Sequence, residues 1–269
     1  MRLIITVLLL ALTQAIFSQQ FRALCNDGIR HILKHNYKEA AACFEKATRL
    51  GESDSEKAYS YANLAYSQQM CGETRKALAS YNSAIKHDRD EITLVQQRAN
   101  ILMQLDSLET ALRDYNYILD KEPGNTGALF FRASIYSEMN EFEKARADYR
   151  SLLRIEPNNE NVQLGLAMLY KKEGKYNESL TLLALLIEQH PQKAEYYIAR
   201  SDVERALGWN ELALMDVEKA ISLEPDNANY YTLQSILYGK LGRTELSRRS
   251  RLEAERLKGE KPRGTDASD

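Results

Sequence analysis

Polar and apolar positions follow two different rules along this chain. Leu3 to Leu12 is apolar apart from Thr6; Met1 and Arg2 precede it, and a stretch with polar and small residues, Thr13 to Gln19, follows. From Phe21 onward small and large residues alternate in an order that returns every 34 residues. Pro123, Pro157, Pro191 and Pro225 mark the period. Twelve residues before each stands a small side chain: Ala111, Ala145, Ser179 and Ala213. Eight before stands a large one: Tyr115, Tyr149, Leu183 and Val217. Five before come Ile118, Leu152, Leu186 and Ala220. Near the middle sits a turn former: Asp106, Asn140, Gly174 or Gly208. The ladder extends upstream through Gly72, Ala77, Tyr81 and Ala84, with Arg89 in the proline's place, and downstream through Gly242 and Ala254. A first copy carries Tyr37, Ala40, Phe44 and Ala47, followed by a short insertion near Ser55 to Lys57.

A period of this length predicts a stacked array of supersecondary units. Each block reads as two antiparallel helices. Small residues let the helices of a hairpin approach, large ones fill the gaps between hairpins, and the mid-block Gly or Asn supplies a left-handed turn. Proline ends the second helix. No hairpin buries its apolar face alone, so stability comes from stacking on neighbours.

These positions resemble the tetratricopeptide repeat family, over about Phe21 to Lys258. The resemblance implies an all-α, right-handed superhelical solenoid of about seven helix-turn-helix repeats: 21–54, 58–91, 92–125, 126–159, 160–193, 194–227 and 228–258. The chain departs from the family in lacking the usual Trp near the start of each repeat, where Tyr61, Leu129 and Tyr197 stand; Trp209 lies at a hairpin turn instead. The last repeat has Arg251 at a large apolar position, and its second helix, Thr244 to Lys258, is strongly charged, as suits a terminal cap. The polar tail 259–269 is expected to be disordered.

The N-terminal pattern reads as a secretory signal peptide, residues 1–18, with cleavage expected after Ser18 or Ala15. Its apolar run is short for a bilayer span, and retention as an anchor is the alternative. The chain is therefore expected to be exported, to the periplasm or the exterior. With 36 Lys and Arg against 38 Asp and Glu, the net charge of −2 gives no reason to expect nucleic acid.

Arg98, Arg132 and Arg200 share one place in their first helices; Asp114, Asp148 and Asp216 share one place in the second, 16 residues on. Where one is missing both are: Leu64 goes with Ser80, and Leu166 with Leu182. This predicts partly buried bidentate pairs, Arg98–Asp114, Arg132–Asp148 and Arg200–Asp216, inside three hairpins. Cys25 and Cys43 are candidates for a bridge stapling the first hairpin, the alternative being small buried hydrophobes. His31 and His35 are four apart, yet two ligands do not make a metal site. No nucleotide-binding glycine loop, Cys-x-x-Cys or nucleophile elbow is present, so neither enzyme chemistry nor a cofactor is expected.

By the resemblance, first helices line a concave face. Partner-binding candidates there are Tyr59, Asn63, Tyr66, Gln97, Asn100, Phe130, Phe131, Ser134, Met168 and Arg205. Amides suit a peptide backbone, and aromatics suit apolar side chains. Packing between neighbouring helices explains the aromatics equally well. Asn63 and Asn100 resemble part of the family's clamp for a carboxylate terminus, but its lysines are missing. The expected role is a non-enzymatic scaffold for a protein or peptide, associated with the cell envelope. A chaperone-like factor of a eukaryotic secretory lumen is the alternative, with Asn177-Glu178-Ser179 as its glycosylation sequence.

Overall fold

The computed structural model describes residues 2–259, with side chains from residue 14 onward. Among these residues there are fourteen α-helices and no strand: α1 (Arg2–Leu33), α2 (Tyr37–Leu50), α3 (Asp54–Met70), α4 (Thr74–His87), α5 (Ile92–Gln104), α6 (Leu108–Lys121), α7 (Thr126–Glu138), α8 (Phe142–Ile155), α9 (Glu160–Lys172), α10 (Tyr176–Gln189), α11 (Ala194–Ala206), α12 (Asn210–Leu223), α13 (Ala228–Lys240) and α14 (Thr244–Gly259). They pair into seven hairpins. The chain divides into two compact bodies inside α7, between Arg132 and Ala133. In the N-terminal body α1 to α6 each pack on the next helix in sequence, and in the C-terminal body α8 to α14 do the same.

The turns explain the period. Each hairpin reverses at one residue with positive φ: His35, Gly72, Asp106, Asn140, Gly174, Gly208 and Gly242. The following amide bonds back to a carbonyl five residues earlier, as in Glu73 to Gln68 (2.9 Å) and Lys175 to Tyr170 (2.8 Å). That closes the helix end and satisfies a carbonyl the helix leaves open. At the other end of each hairpin, Glu122, Glu156, His190 and Glu224 have φ between −133° and −128°, as a residue before proline must. Asp88 is extended too, at φ −141°, although Arg89 follows it. Asn125, Asn159 and Asn227 then open the next first helix, their side-chain oxygens accepting from Ala128 (2.9 Å), Val162 (3.2 Å) and Asn229 (3.2 Å).

The core follows the ladder. Ala40, Ala77, Ala111, Ala145, Ser179 and Ala213 are wholly buried, where helices of a hairpin come closest. Phe44, Tyr81, Tyr115, Tyr149, Leu183 and Val217 are buried at the next position. Ser179 replaces alanine without loss because its hydroxyl donates to the Ala167 carbonyl at 2.7 Å.

Gly28 has a separate reason. A Cβ there would lie 2.6 Å from the Phe44 ring, which is itself wholly buried. Gly28→Ala is therefore expected to destabilise the protein by roughly 1 to 3 kcal/mol, the usual range for overpacking. An unchanged urea midpoint would show that the first hairpin has slack.

At the N-terminus α1 runs unbroken through the expected cleavage region. Residues 14–20 are exposed or half-buried, and burial begins at Phe21, packed with Cys25, Phe44 and Ala47. Met1 and the side chains to residue 13 lie outside the described residues. At the other end α14 buries only Ser250 and Ala254. The expected disordered tail lies, beyond Gly259, outside the described residues. Among the described residues no helix is long and apolar enough to cross a membrane.

Candidate functional site

First helices carry the candidate residues, and the two bodies present different surfaces. In the N-terminal body a Ser53–Glu56 capping box fixes the start of α3, which aligns Tyr59, Asn63, Tyr66 and Met70. Tyr59 (46%) and Tyr66 (39%) are exposed. Tyr66 meets Tyr37 edge-on at 6.3 Å, and Asn63 donates to the Tyr59 carbonyl at 2.9 Å. On α5, Asn100 accepts from the buried Tyr115 hydroxyl at 2.6 Å, and Gln97 lies one turn before it. Burial pushes the Tyr115 phenol well above its usual range, so it stays a donor. Phe131 of α7 stacks on Tyr115 at 5.7 Å, and Phe130 meets Phe131 edge-on. Phe131 thus serves packing between hairpins, while Tyr59 and Tyr66 remain open to a ligand.

In the C-terminal body, Ser134 and Met168 line one cleft of about 400 Å³ with Tyr149, Gly165, Lys172 and Tyr176. Gly165 keeps it open: a Cβ would stand 3.0 Å from the Tyr149 hydroxyl. The floor is apolar and aromatic; the rim is charged but paired. Lys172 donates to the Ser137 carbonyl (2.8 Å) and to Glu138 (3.2 Å). Lys171 reaches Asp202 at 3.2 Å, and Arg205 holds Asp202 at 2.7 Å, so Arg205 is placed by an ion pair of its own helix. Such a cleft accepts an apolar side chain beneath polar rim groups.

Two Arg–Asp pairs sit inside hairpins. Arg98 donates to both Asp114 oxygens (2.8 and 2.5 Å) and to Asn82 (3.1 Å). Arg200 donates to both Asp216 oxygens at 2.7 Å. Arg132 donates to Asn116 at 2.8 Å and Asp148 is buried; these two residues fall in different bodies.

Two ionic features escaped the sequence reading. Arg146 is buried and donates to both oxygens of Glu173 (2.6 and 2.5 Å), joining α8 to the end of α9, with its guanidinium over Tyr170. Glu204 of α11 is 7% exposed, with Oε2 buried and unpartnered. Burial, and then the nearby Asp216 charge, push its carboxyl up to about 7, against the pull of Arg200. The signal for both was positional. Arg146 stands in a column of Leu78, Leu112, Leu180 and Leu214, and Glu173 in one of Leu105, Met139 and Leu207. Glu204 stands with Leu102, Tyr136, Tyr170 and Tyr238.

The candidate Cys25–Cys43 bridge is not formed: both are free thiols, as is Cys71. Cys25 packs into the first core cluster, and burial raises its thiol to about 11. Cys43, raised by burial, also feels the charge of Asp27. Asp27 is two residues beyond Cys25, about 200° around the helix, so the two thiols address different sides of α1. His35 occupies the first turn and bonds the Tyr37 hydroxyl at 2.8 Å. Among the described residues no group of three metal-type ligands occurs.

Comparison with known proteins gives the same architecture. Tetratricopeptide repeat family models match residues 97–160, 142–203 and 194–227. A tetratricopeptide repeat protein from Parabacteroides merdae superposes with a TM-score of 0.81 at 27% identity, covering 91% of this chain and 95% of that one. The C-terminal part of a repeat protein from Cytophaga hutchinsonii gives 0.65 at 17% identity, over 88% and 92%. PilW, described as a type IV pilus biogenesis factor, gives 0.65 at 17%, over 74% and 92%. The last two likenesses concern the fold alone. No curated protein matches the sequence.

Proposed function

Because the chain is a tetratricopeptide repeat protein, we propose that it acts as a non-enzymatic scaffold holding a protein or peptide segment against its first helices. The observation that carries this reading is the cleft lined by Ser134, Met168 and Tyr176. Its floor is apolar, its lysines are ion-paired, and its lining includes no His or Cys. That is a receptacle for a side chain. Tyr59 and Tyr66 in the N-terminal body add exposed aromatic surface of the kind enriched at interfaces. We place the work outside the cytoplasm, in the periplasm or secreted, in association with the envelope. The N-terminal pattern supports this, and so does burial that begins at Phe21: of residues 14–18, a cut after Ser18 removes nothing buried.

The test is affinity capture from the native envelope fraction, with Met168→Glu and Tyr66→Ala as controls of unchanged circular dichroism. A carboxylate in the apolar floor should weaken capture by at least about tenfold. A partner held equally by both variants would count against binding at the first helices. The intact mass of the native protein checks export: a chain still beginning at Met1 would overturn that part.

A further inference from the structure

In the N-terminal body, the groove where second helices α4 and α6 flank α5 departs from the repeat at three places. It forms a cavity of about 480 Å³, within the range that small ligands occupy. Val95 lines it. The same place holds Leu24, Tyr61, Leu129, Gln163, Tyr197 and Tyr231 in the other repeats, so this groove carries the smallest side chain of its column. Arg89 stands where the next four repeats have Pro123, Pro157, Pro191 and Pro225. Arg113 stands in a column of Ala42, Ala79, Ala147, Thr181 and Met215, and shares its charge only with Arg249 of the terminal cap. One departure gives room, and the other two bring positive charge to the same cavity.

The acids beside this cavity are already engaged. Asp114 accepts two bonds from Arg98 (2.8 and 2.5 Å). Asp90 is met by the Tyr117 hydroxyl at 3.3 Å and by Lys121 at 3.6 Å. Among the described residues neither Arg89 nor Arg113 forms an ion pair. The Arg89 guanidinium lies 6.0 Å from the Tyr117 ring centroid, and Arg113 donates to the Thr110 hydroxyl at 3.0 Å. With Arg98 cancelled by Asp114, the charges of Arg89 and Arg113 are left uncompensated in the lining. The oxygen of Asn82 accepts from Arg98 at 3.1 Å, so its N–H groups are free to donate. Leu78, Val95 and Leu102 supply an apolar wall beside these donors. Guanidinium groups bond the paired oxygens of a carboxylate or phosphate, and an apolar wall takes up what is attached to them.

We propose that this groove binds a small organic anion, its acidic group held by Arg89, Arg113 and the Asn82 amide and its apolar body laid on Leu78, Val95 and Leu102. The site lies apart from the first-helix cleft of the scaffold reading and does not depend on it.

Isothermal titration calorimetry of the full chain with octanoate, octyl phosphate and octan-1-ol tests this. The two anions distinguish a carboxylate ligand from a phosphate ester, and the alcohol has the same chain without the charge. At least one anion should bind with 1:1 stoichiometry and a Kd below about 1 mM, and octan-1-ol at least about tenfold more weakly. Arg89→Gln and Arg113→Gln, both at exposed positions, should each weaken anion binding by about tenfold, the effect of losing one charged hydrogen bond. Val95→Tyr supplies the side chain that Tyr61 and Tyr197 carry at this place, and should abolish binding with circular dichroism unchanged. If that variant fails to fold, the arginine variants decide alone. Equal binding of octan-1-ol, or anion binding indifferent to both arginines, overturns the proposal, as does no binding of either anion at about 1 mM. A Glu-rich peptide that binds more tightly than octanoate through the same arginines overturns it in favour of a protein partner.

Discussion

Asp114→Ala lowers the stability of this protein by about 3 kcal/mol, and Arg98→Leu combined with Asp114→Leu recovers most of the loss. The carboxylate is 5% exposed and accepts two guanidinium bonds, so removing it strands Arg98 with only the Asn82 amide as partner. Breaking a buried ion pair from one side costs more than the pair is worth, because the remaining charge is left without compensation. Replacing both members by apolar residues removes that penalty. The chain contains its own precedent: Leu166 and Leu182 hold the equivalent places in the fifth repeat, with Leu166 buried. Urea unfolding of the single and double variants checks the expectation. A double variant as unstable as Asp114→Ala would mean that this hairpin needs the pair itself.

Glu204→Gln raises stability at pH 8 and leaves it nearly unchanged at pH 4. The carboxyl titrates near 7 in the folded chain, against 4.5 as its ordinary value. Between those values the native state holds a proton that the unfolded chain has released, so stability falls as pH rises through that window and levels off above 7. The full loss is on the order of 3 kcal/mol. Glutamine keeps the shape of the protonated acid and never ionises, so its benefit should grow from near zero below 4.5 to this amount above 7. Equal effects at both pH values would mean that Glu204 ionises as readily folded as unfolded.

Much of the fold was legible because its punctuation is chemical. Pro123 and its three counterparts forbid helix, and Gly174 or Asn140 permits the left-handed turn. These constraints are local, so a single sequence displays them. The Arg98–Asp114 spacing was legible because both members repeat in register. The bond between Arg146 and Glu173 was not, because it joins different repeats; alignment within one repeat shows only two misplaced charges. The candidate Cys25–Cys43 bridge came from matching heights in antiparallel packing; height alone does not decide what a side chain faces, since each residue turns about 100° around the helix. The N-caps Asn125, Asn159 and Asn227 were visible as a repeating letter before the structure gave them a role. Which aromatics stay exposed was illegible: Phe131 and Tyr66 sit within a turn of equivalent places, and each meets another ring, yet Tyr66 is exposed and Phe131, stacked on Tyr115, is half-buried.

Arg146 and Glu173 also bear on how such a chain can change over generations. The Arg98–Asp114 and Arg200–Asp216 pairs each lie within one hairpin, so duplicating or deleting that repeat carries both charges with it. Arg146 and Glu173 are divided between the fourth and fifth repeats. Excising the fifth repeat, or inserting another between them, leaves the buried Arg146 with only the exposed Glu143 of its own helix as counter-ion. Half-buried or exposed bonds cross other junctions, as Lys171 to Asp202 does; at this one a buried arginine writes the order of two neighbours into the protein as a single inherited word.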